Sequence, residues 1–212
     1  MTIFLDSAII TEAKTAQEFG WVKGITTNPT LLAKTDLPVP NTLKQLAQLT
    51  TGPVFYQLMA ADLSGMIAEG RAAWAILGEQ TVLKIPASSV GFQAVAILAP
   101  EIQCAVTAIY SASQAVVSQE AGAKYAIAYV NRATKLLGDG VALIRDMASV
   151  LAGSFTEVMA ASIKSPQEAV ASVQAGAHHL TLPLAMLQSL TTHELSAQTI
   201  DEFAKNGRGI DY

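Results

Sequence analysis

The chain has 212 residues, a formal net charge of −4 and a single cysteine, and its residues are 51% hydrophobic and 14% charged. The low charged fraction argues against disorder, and the acidic balance argues against binding nucleic acid through a basic face. One cysteine, Cys104, cannot form an intrachain disulfide. The start lacks the basic segment of a signal peptide, and no apolar run approaches the roughly 18 residues of a membrane helix without a polar break. We therefore expect a soluble, cytoplasmic protein that binds neither nucleic acid nor membrane.

Short apolar or β-branched runs alternate along the chain with longer segments rich in Ala, Leu, Gln and Glu. The eight predicted strands are Thr2–Leu5, Gly24–Thr27, Val54–Met59, Thr81–Ile85, Gln103–Ile109, Tyr125–Val130, Thr156–Ala161 and Leu180–Leu182. The clearest helical patterns between them are residues 64–74, Ser111–Ala121 and a segment that starts at Ser165 and ends at Gly176. Residues 37–40 are predicted to form a loop before a helix.

Strict alternation of strands and helices predicts parallel strands joined by right-handed crossovers. Eight repeats favour an α/β fold with a closed (β/α)8 TIM barrel, formed by residues 1–212 as one domain. The alternative, a doubly wound open sheet, is disfavoured because no Gly-x-Gly-x-x-Gly turn follows the first strand. The few charges leave little to solvate a monomer's surface, which favours a homo-oligomer.

Active sites of such barrels form at the carboxyl ends of the strands, where this sequence places polar residues. Alternation along the strands points Gln57, Lys84, Thr107 and Tyr129 inward from four successive strands. A barrel interior has no structural need of them, because each buried polar group requires a partner. The eighth strand, ending at residues 181–183, offers little. We predict the active site at this end of the barrel.

Lys84 is the sharpest candidate because it falls in the middle of the fourth strand, and lysine is almost never fully buried. A desolvated amine has a lowered pKa and can attack a carbonyl to form a Schiff base. The structural alternative is an aliphatic stem in the core with the ammonium group reaching the barrel mouth.

The neighbours of Lys84 suit the same chemistry, in which an iminium ion withdraws electrons from an adjacent carbon–carbon bond. The Tyr129 phenol can carry the protons that move, directly or through a water molecule held by Gln57 and Thr107. Asp6, at the end of the first strand, is suited to steering the amine and binding substrate hydroxyls. For Tyr129 alone, the alternative is a core tyrosine with a satisfied hydroxyl.

Two further sets of residues are candidates for substrate binding. Thr26 and Asn28 end the second strand, although Asn28 before a proline also fits simple turn chemistry. Asn131 follows Tyr129 in the inward frame of the sixth strand. The remaining candidates are Arg132, Ser162 and Lys164, which follow strands six and seven and could clamp a phosphate, with two surface cations as the alternative.

Other chemistries find little support in the sequence. The three histidines, His178, His179 and His193, are separated and lack a carboxylate motif, so no metal site is predicted. Cys104 lies near the start of the fifth strand and is expected to be inert.

At these residues the chain resembles the transaldolase family, specifically its short branch that includes fructose-6-phosphate aldolases. The matching stretches are residues 4–6, 24–30, 82–86, 107–110, 128–132, 160–166 and 181–184, in family order. The resemblance implies a TIM barrel whose Schiff-base lysine, here Lys84, lies on strand four, with neither metal nor organic cofactor. It also implies a sugar or sugar phosphate substrate and a homo-oligomer, commonly a decamer of two pentamers. The C-terminal helical segment, about residues 186–212, would then reach a neighbouring subunit.

Two positions separate the branches of this family. Transaldolases usually carry glutamate and phenylalanine where this chain has Gln57 and Tyr129, so the sequence resembles the aldolase branch more closely. Residues 133–140 depart from the aldolase pattern on the acceptor side. A class I aldolase acting on a sugar phosphate such as fructose 6-phosphate is therefore expected. The alternatives are a transaldolase that transfers a dihydroxyacetone unit and a non-catalytic barrel, against which the buried Lys84 argues.

Overall fold

The computed structural model describes residues 1–210 as a barrel of eight parallel strands. Each strand pairs with the next along the chain, and the eighth pairs back with the first. The strands are β1 (Thr2–Asp6), β2 (Val22–Thr26), β3 (Val54–Gln57), β4 (Thr81–Pro86), β5 (Gln103–Ile109), β6 (Tyr125–Tyr129), β7 (Glu157–Ala161) and β8 (His179–Leu182). The predicted TIM barrel is confirmed, and the closed sheet rules out the open alternative.

Helices follow every strand and pack around the sheet. They are α1 (Ile10–Glu18), α2 (Pro29–Leu32), α3 (Val39–Gln48), α4 (Leu63–Leu77), α5 (Ser89–Leu98), α6 (Ala112–Glu120), α7 (Val130–Leu137), α8 (Gly140–Val150), α9 (Pro166–Gln174), α10 (Leu184–Ser189) and α11 (Glu194–Asn206). Side-chain caps start many of them, as where Asp62 accepts the Gly65 N–H and Ser88 accepts that of Gly91. No helix within residues 1–210 is both long and apolar enough to cross a membrane.

The element boundaries differ from the prediction in two places that matter. The expected loop at residues 37–40 is shorter, because Val39 and Pro40 already form the first turn of α3, where proline is tolerated. Strand β6 ends at Tyr129, and α7 begins at Val130. Asn131 is therefore a helical residue, and its expected place in the inward frame of β6 was wrong.

The core has an outer layer between sheet and helices and a separate cluster inside the barrel. The inner cluster is aromatic, with the Phe4 ring edge-on to Phe55 at 5.4 Å and to His179 at 5.6 Å. Gly24 makes room for it, because a Cβ there would lie 2.8 Å from the Phe4 ring. These rings fill the amino end of the barrel, so any cavity must lie at the carboxyl end.

Candidate active site

A pocket of about 480 Å³ opens at the carboxyl ends of the strands. It brings together eight of the residues predicted from the sequence, which are Asp6, Asn28, Gln57, Lys84, Tyr129, Arg132, Ser162 and Lys164. Two other predicted residues, Thr26 and Thr107, are buried behind this lining and bond to members of it. Alternation along the strands thus places Gln57, Lys84, Thr107 and Tyr129 correctly, on β3 to β6.

Lys84 lies within β4, with Gln57 beside it on β3 and Ala105 beside it on β5. The residue is only 4% exposed, and its Nζ donates a hydrogen bond of 2.9 Å to the Thr27 carbonyl oxygen. Burial lowers the pKa of the Lys84 amine, and the nearby charge of Asp6 acts in the opposite direction. A lowered pKa makes the neutral amine, which is the nucleophilic form, easier to reach.

Asp6 is held by a chain of hydroxyl groups across three strands. The Thr26 hydroxyl donates to Asp6 Oδ1 at 2.9 Å and is itself hydrogen-bonded to the Thr181 hydroxyl. Since Thr26 has one hydroxyl proton, Thr181 donates to it, and the whole chain points toward the carboxylate. Sequence reasoning dismissed β8, although the same alternation that placed the other residues puts Thr181 inside.

Tyr129 and Thr107 form a second polar pair, with their hydroxyl oxygens 2.8 Å apart. Burial raises the pKa of the Tyr129 phenol, against the opposing effects of the Thr107 hydrogen bond and the Arg132 charge. The Arg132 guanidinium lies over the Tyr129 ring, 5.0 Å from its centre. The phenol is therefore held protonated and oriented, as a proton donor should be.

Strand β5 is distorted next to this pair. Its register against β6 shifts between Val106 and Ile109, and Ala108 has a left-handed φ of 59°. A non-glycine residue in this region is strained, and such strain persists only where the surroundings enforce it. Thr107 lies within this irregular stretch, with its hydroxyl bonded to the phenol.

Gln57 has a buried Oε1 atom that no hydrogen-bond donor among residues 1–210 reaches. An unpartnered buried acceptor is costly, so this oxygen is a ready site for a water molecule or a substrate hydroxyl in the pocket. Because Gln57 lies beside Lys84, a ligand bound at this oxygen would also be close to the amine.

Asn28 has two roles in the structure. Its Oδ1 accepts the Leu31 N–H at 3.0 Å and caps α2, so the turn-chemistry interpretation is confirmed for that oxygen. The same side chain lines the pocket.

One wall of the pocket carries two cations, Arg132 at the start of α7 and Lys164 after β7. Ser162 also lines the pocket; it has a left-handed φ of 60°, and its carbonyl oxygen accepts the Asn131 N–H at 3.2 Å. The Asn131 side chain lies outside the lining and approaches Glu168 Oε1 at 3.5 Å. Asn131 was predicted to bind substrate, but its side chain does not line the pocket and contacts Glu168 instead.

Several lining residues had no signal in the sequence, among them Met59, Thr30 and Leu31. Met59 is 65% exposed and is held by Glu69, whose carboxylate accepts the backbone N–H groups of Met59 and Ala60. Only the folded loop places such residues at the mouth. Within residues 1–210, no three His, Cys, Asp or Glu side chains cluster closely enough to hold a metal ion.

A buried amine, a carboxylate and a phenol at the mouth of a TIM barrel define an enzyme-like pocket suited to carbonyl chemistry. The chain belongs to the transaldolase/fructose-6-phosphate aldolase family, whose model matches residues 3–210. It is 39% identical to a "Probable transaldolase" of Hydrogenobaculum sp. over 97% of this chain and 96% of the relative. It is 37% identical to another of Aquifex aeolicus, with the same two coverages. It is therefore an enzyme of aldolase or transaldolase type.

Solved structures with a similar fold have distant sequences. A mandelate oxidase variant superimposes with a TM-score of 0.64 at 14% identity, over 96% of this chain and 72% of that one. Inosine 5′-monophosphate dehydrogenase from Legionella pneumophila gives 0.60 at 13% identity, over 87% and 58%. At these identities the likeness shows the barrel fold alone.

Proposed function

We propose that this protein is a cytoplasmic class I aldolase that forms or cleaves a sugar phosphate such as fructose 6-phosphate. The products of cleavage are dihydroxyacetone and glyceraldehyde 3-phosphate. The observation that carries the proposal is the buried Lys84 amine, which shares one pocket with the Tyr129 phenol.

In the proposed reaction, the Lys84 nitrogen attacks the ketone carbon, and water leaves to give an iminium ion. A proton leaves the hydroxyl next to the scissile bond, and the electrons of the breaking carbon–carbon bond move to the iminium ion and form an enamine. The released aldehyde departs, the enamine carbon takes a proton, and water hydrolyses the imine to restore the amine. Tyr129 passes these protons through a water molecule held by Gln57 and Thr107.

Substrate recognition divides between two sides of the pocket. Asp6 and Asn28 bind the hydroxyls of the dihydroxyacetone part, while Thr26, predicted as a ligand but buried behind the lining, orients Asp6 through its hydroxyl hydrogen bond. The cationic wall binds the phosphate, with Arg132 and Lys164 supplying charge and Ser162 a hydroxyl. Asn131 does not bind the substrate in this proposal; it stabilises the wall through its backbone hydrogen bond to Ser162.

Transaldolase activity, transfer of the dihydroxyacetone unit to a second sugar phosphate, is the alternative that the names of the relatives favour. The enzyme is incubated with fructose 6-phosphate, with and without an aldose phosphate acceptor, and free glyceraldehyde 3-phosphate is measured. An aldolase releases it steadily without the acceptor. Release limited to about one equivalent per active site, with turnover only when the acceptor is added, would establish the transferase instead.

We also propose that α11 packs on a neighbouring subunit in a homo-oligomer. None of its residues Glu194–Asn206 is buried, and Leu195, Ile200 and Phe203 are 63%, 64% and 70% exposed. Such apolar side chains on a surface helix favour a protein partner.

Light scattering should show an assembly larger than a dimer, which Phe203→Ser weakens. A monomeric wild type would contradict the proposal. The expected segment continues through residues 211 and 212, which lie outside the described residues.

A further inference from the structure

Glu168 lies in the first turn of α9, half-buried behind the cationic wall of the pocket. Its Oε2 accepts the backbone N–H of Lys164 at 2.6 Å, and its Oε1 faces the Asn131 amide nitrogen at 3.5 Å. Its own N–H donates to the Ser165 hydroxyl at 3.1 Å, which fixes the start of the helix. One carboxylate thus contacts two segments that lie far apart in sequence.

Those two segments carry every residue of the proposed phosphate site. Lys164 and Ser162 lie in the turn after β7, while Asn131 directly precedes Arg132 in the first turn of α7. The Asn131 N–H also bonds to the Ser162 carbonyl oxygen, so the two segments are tied at two points. Ser162 has a left-handed backbone, a conformation that a non-glycine residue keeps only under such restraint.

We propose that Glu168 is a positioning residue for the phosphate site, which holds the turn after β7 and the start of α7 at a fixed separation. This rests on the proposed function, since it takes Arg132, Ser162 and Lys164 as the phosphate ligands. Glu168 is not among the residues that line the pocket. The ligand whose binding depends on it is the phosphate of a phosphorylated aldehyde or sugar.

Positioning and simple electrostatics predict opposite effects for the removal of Glu168. A carboxylate behind a phosphate site repels the phosphate, so its loss would by charge alone tighten phosphate binding. If the carboxylate instead holds the two segments, its loss lets them separate, and phosphate binding weakens.

The test measures kinetic constants for synthesis from dihydroxyacetone with glyceraldehyde 3-phosphate or with unphosphorylated glyceraldehyde. Glu168→Ala should raise the KM for the phosphorylated acceptor about tenfold, the effect of losing a hydrogen bond to a charged group. The kcat and the KM for glyceraldehyde should stay within about twofold of the wild type, because a hydrogen-bond loss confined to the phosphate wall leaves the rest intact. Glu168→Gln should fall between, because an amide oxygen can still accept the Lys164 N–H. An unchanged or lowered KM for glyceraldehyde 3-phosphate in Glu168→Ala would overturn the proposal.

Glu69 provides a matched control on the opposite side of the mouth. It too is a half-buried helical carboxylate that accepts backbone N–H groups of the preceding loop, here those of Met59 and Ala60. Glu69→Ala should affect both acceptors alike. A phosphate-selective rise in KM equal to that of Glu168→Ala would show a general loosening of the mouth and overturn the specific role of Glu168.

Arg132→Ala separates failure of this inference from failure of the phosphate site. If Arg132→Ala raises the KM for the phosphorylated acceptor selectively and Glu168→Ala does not, only the role of Glu168 is wrong. If neither variant is selective, the phosphate site itself is wrong and the inference falls with it. Borohydride trapping of dihydroxyacetone should succeed in both variants, which shows that the amine site is intact.

Discussion

The two ends of the barrel interior are built from the same eight strands but hold their charged groups differently. At the amino end, Glu157 accepts from Lys124 at 2.9 Å and from His179 at 3.1 Å, beside the packed rings of Phe4 and Tyr125, although the buried His179 Nδ1 has no partner among residues 1–210. At the carboxyl end, the buried Lys84 amine donates to a neutral carbonyl oxygen, and the buried Gln57 Oε1 has no hydrogen-bond partner among residues 1–210. The first end is arranged for stability, and the second keeps costly groups that a ligand can use.

The largest expected effect is that of Lys84→Met, which removes the amine while keeping a side chain of similar length. Activity should fall to background, yet the midpoint of thermal unfolding should rise, because the burial penalty of the amine exceeds the single bond to the Thr27 carbonyl. Burial lowers the folded-state pKa of Lys84, so the unfolded chain binds the proton more readily, and the penalty is greatest in acid.

The stability gain of Lys84→Met should therefore shrink as the pH rises toward 10.5, the ordinary lysine pKa. Denaturant unfolding of the wild type and of Lys84→Met at several pH values up to 10.5 measures this difference in stability. A variant less stable than the wild type at neutral pH would show that the carboxyl end is not destabilised by its amine.

Tyr129→Phe is expected to have the next largest effect. Removal of the phenol oxygen should slow aldol cleavage and synthesis by about 10²–10⁴-fold, the usual contribution of general acid–base catalysis. Imine formation at Lys84 should persist, which borohydride trapping on the same variant reports. Undiminished cleavage would show that the phenol only packs against Thr107, and the transferase alternative would gain support.

The periodicity of the strands predicted most of this contrast, and its failures have identifiable causes. Alternation located Lys84 and Gln57 because a β-strand imposes a period of two wherever the strand continues. It failed at Asn131, because α7 begins directly after Tyr129 and rotates that side chain toward Glu168. The same period places Thr181 inside the barrel on β8, where the sequence indicated little.

The supporting carboxylates could not be found from the sequence. Glu69 and Glu168 lie on α4 and α9, and their carboxylates accept backbone N–H groups of loops. A backbone donor has no residue-type signal, so only the folded loop reveals which side chain holds it. The hydrogen bonds that shape the mouth are for this reason the least predictable part of the site.

Phe4→Leu tests the amino end. Loss of the ring removes edge contacts with Phe55 and His179 and should lower the free energy of unfolding by about 1–2 kcal/mol. The kcat of the folded protein should not change, because Phe4 lies in the layer nearer the amino end and does not line the pocket. A loss of kcat without a loss of stability would mean that the two ends are not separate.

The smallest expected effect is a pH dependence at the same end. Burial lowers the pKa of His179 from its ordinary value of 6.5. For Glu157, burial acts to raise the pKa, but the hydrogen bonds and charges of Lys124 and His179 outweigh it and lower the pKa from 4.5. In both cases the unfolded chain binds protons more readily, so stability is present above these ordinary values and is lost as the pH falls through and below them. Glu157→Gln should make the loss of stability below pH 4.5 less steep. The free energy of unfolding of both proteins is measured with denaturant at several pH values below 4.5. An equal change with pH in the wild type and in Glu157→Gln would contradict this assignment.

Covalent trapping tests the central claim most directly, that the carboxyl end exists to present a reactive amine. The wild type and Lys84→Met are incubated with dihydroxyacetone and borohydride, and intact mass and peptide mapping follow. One reduced dihydroxyacetone unit per chain is expected in the wild type, attached to the Lys84 peptide, and none is expected in the variant. A wild type without the adduct, or an adduct on Lys164 or any other lysine that persists in Lys84→Met, would contradict it.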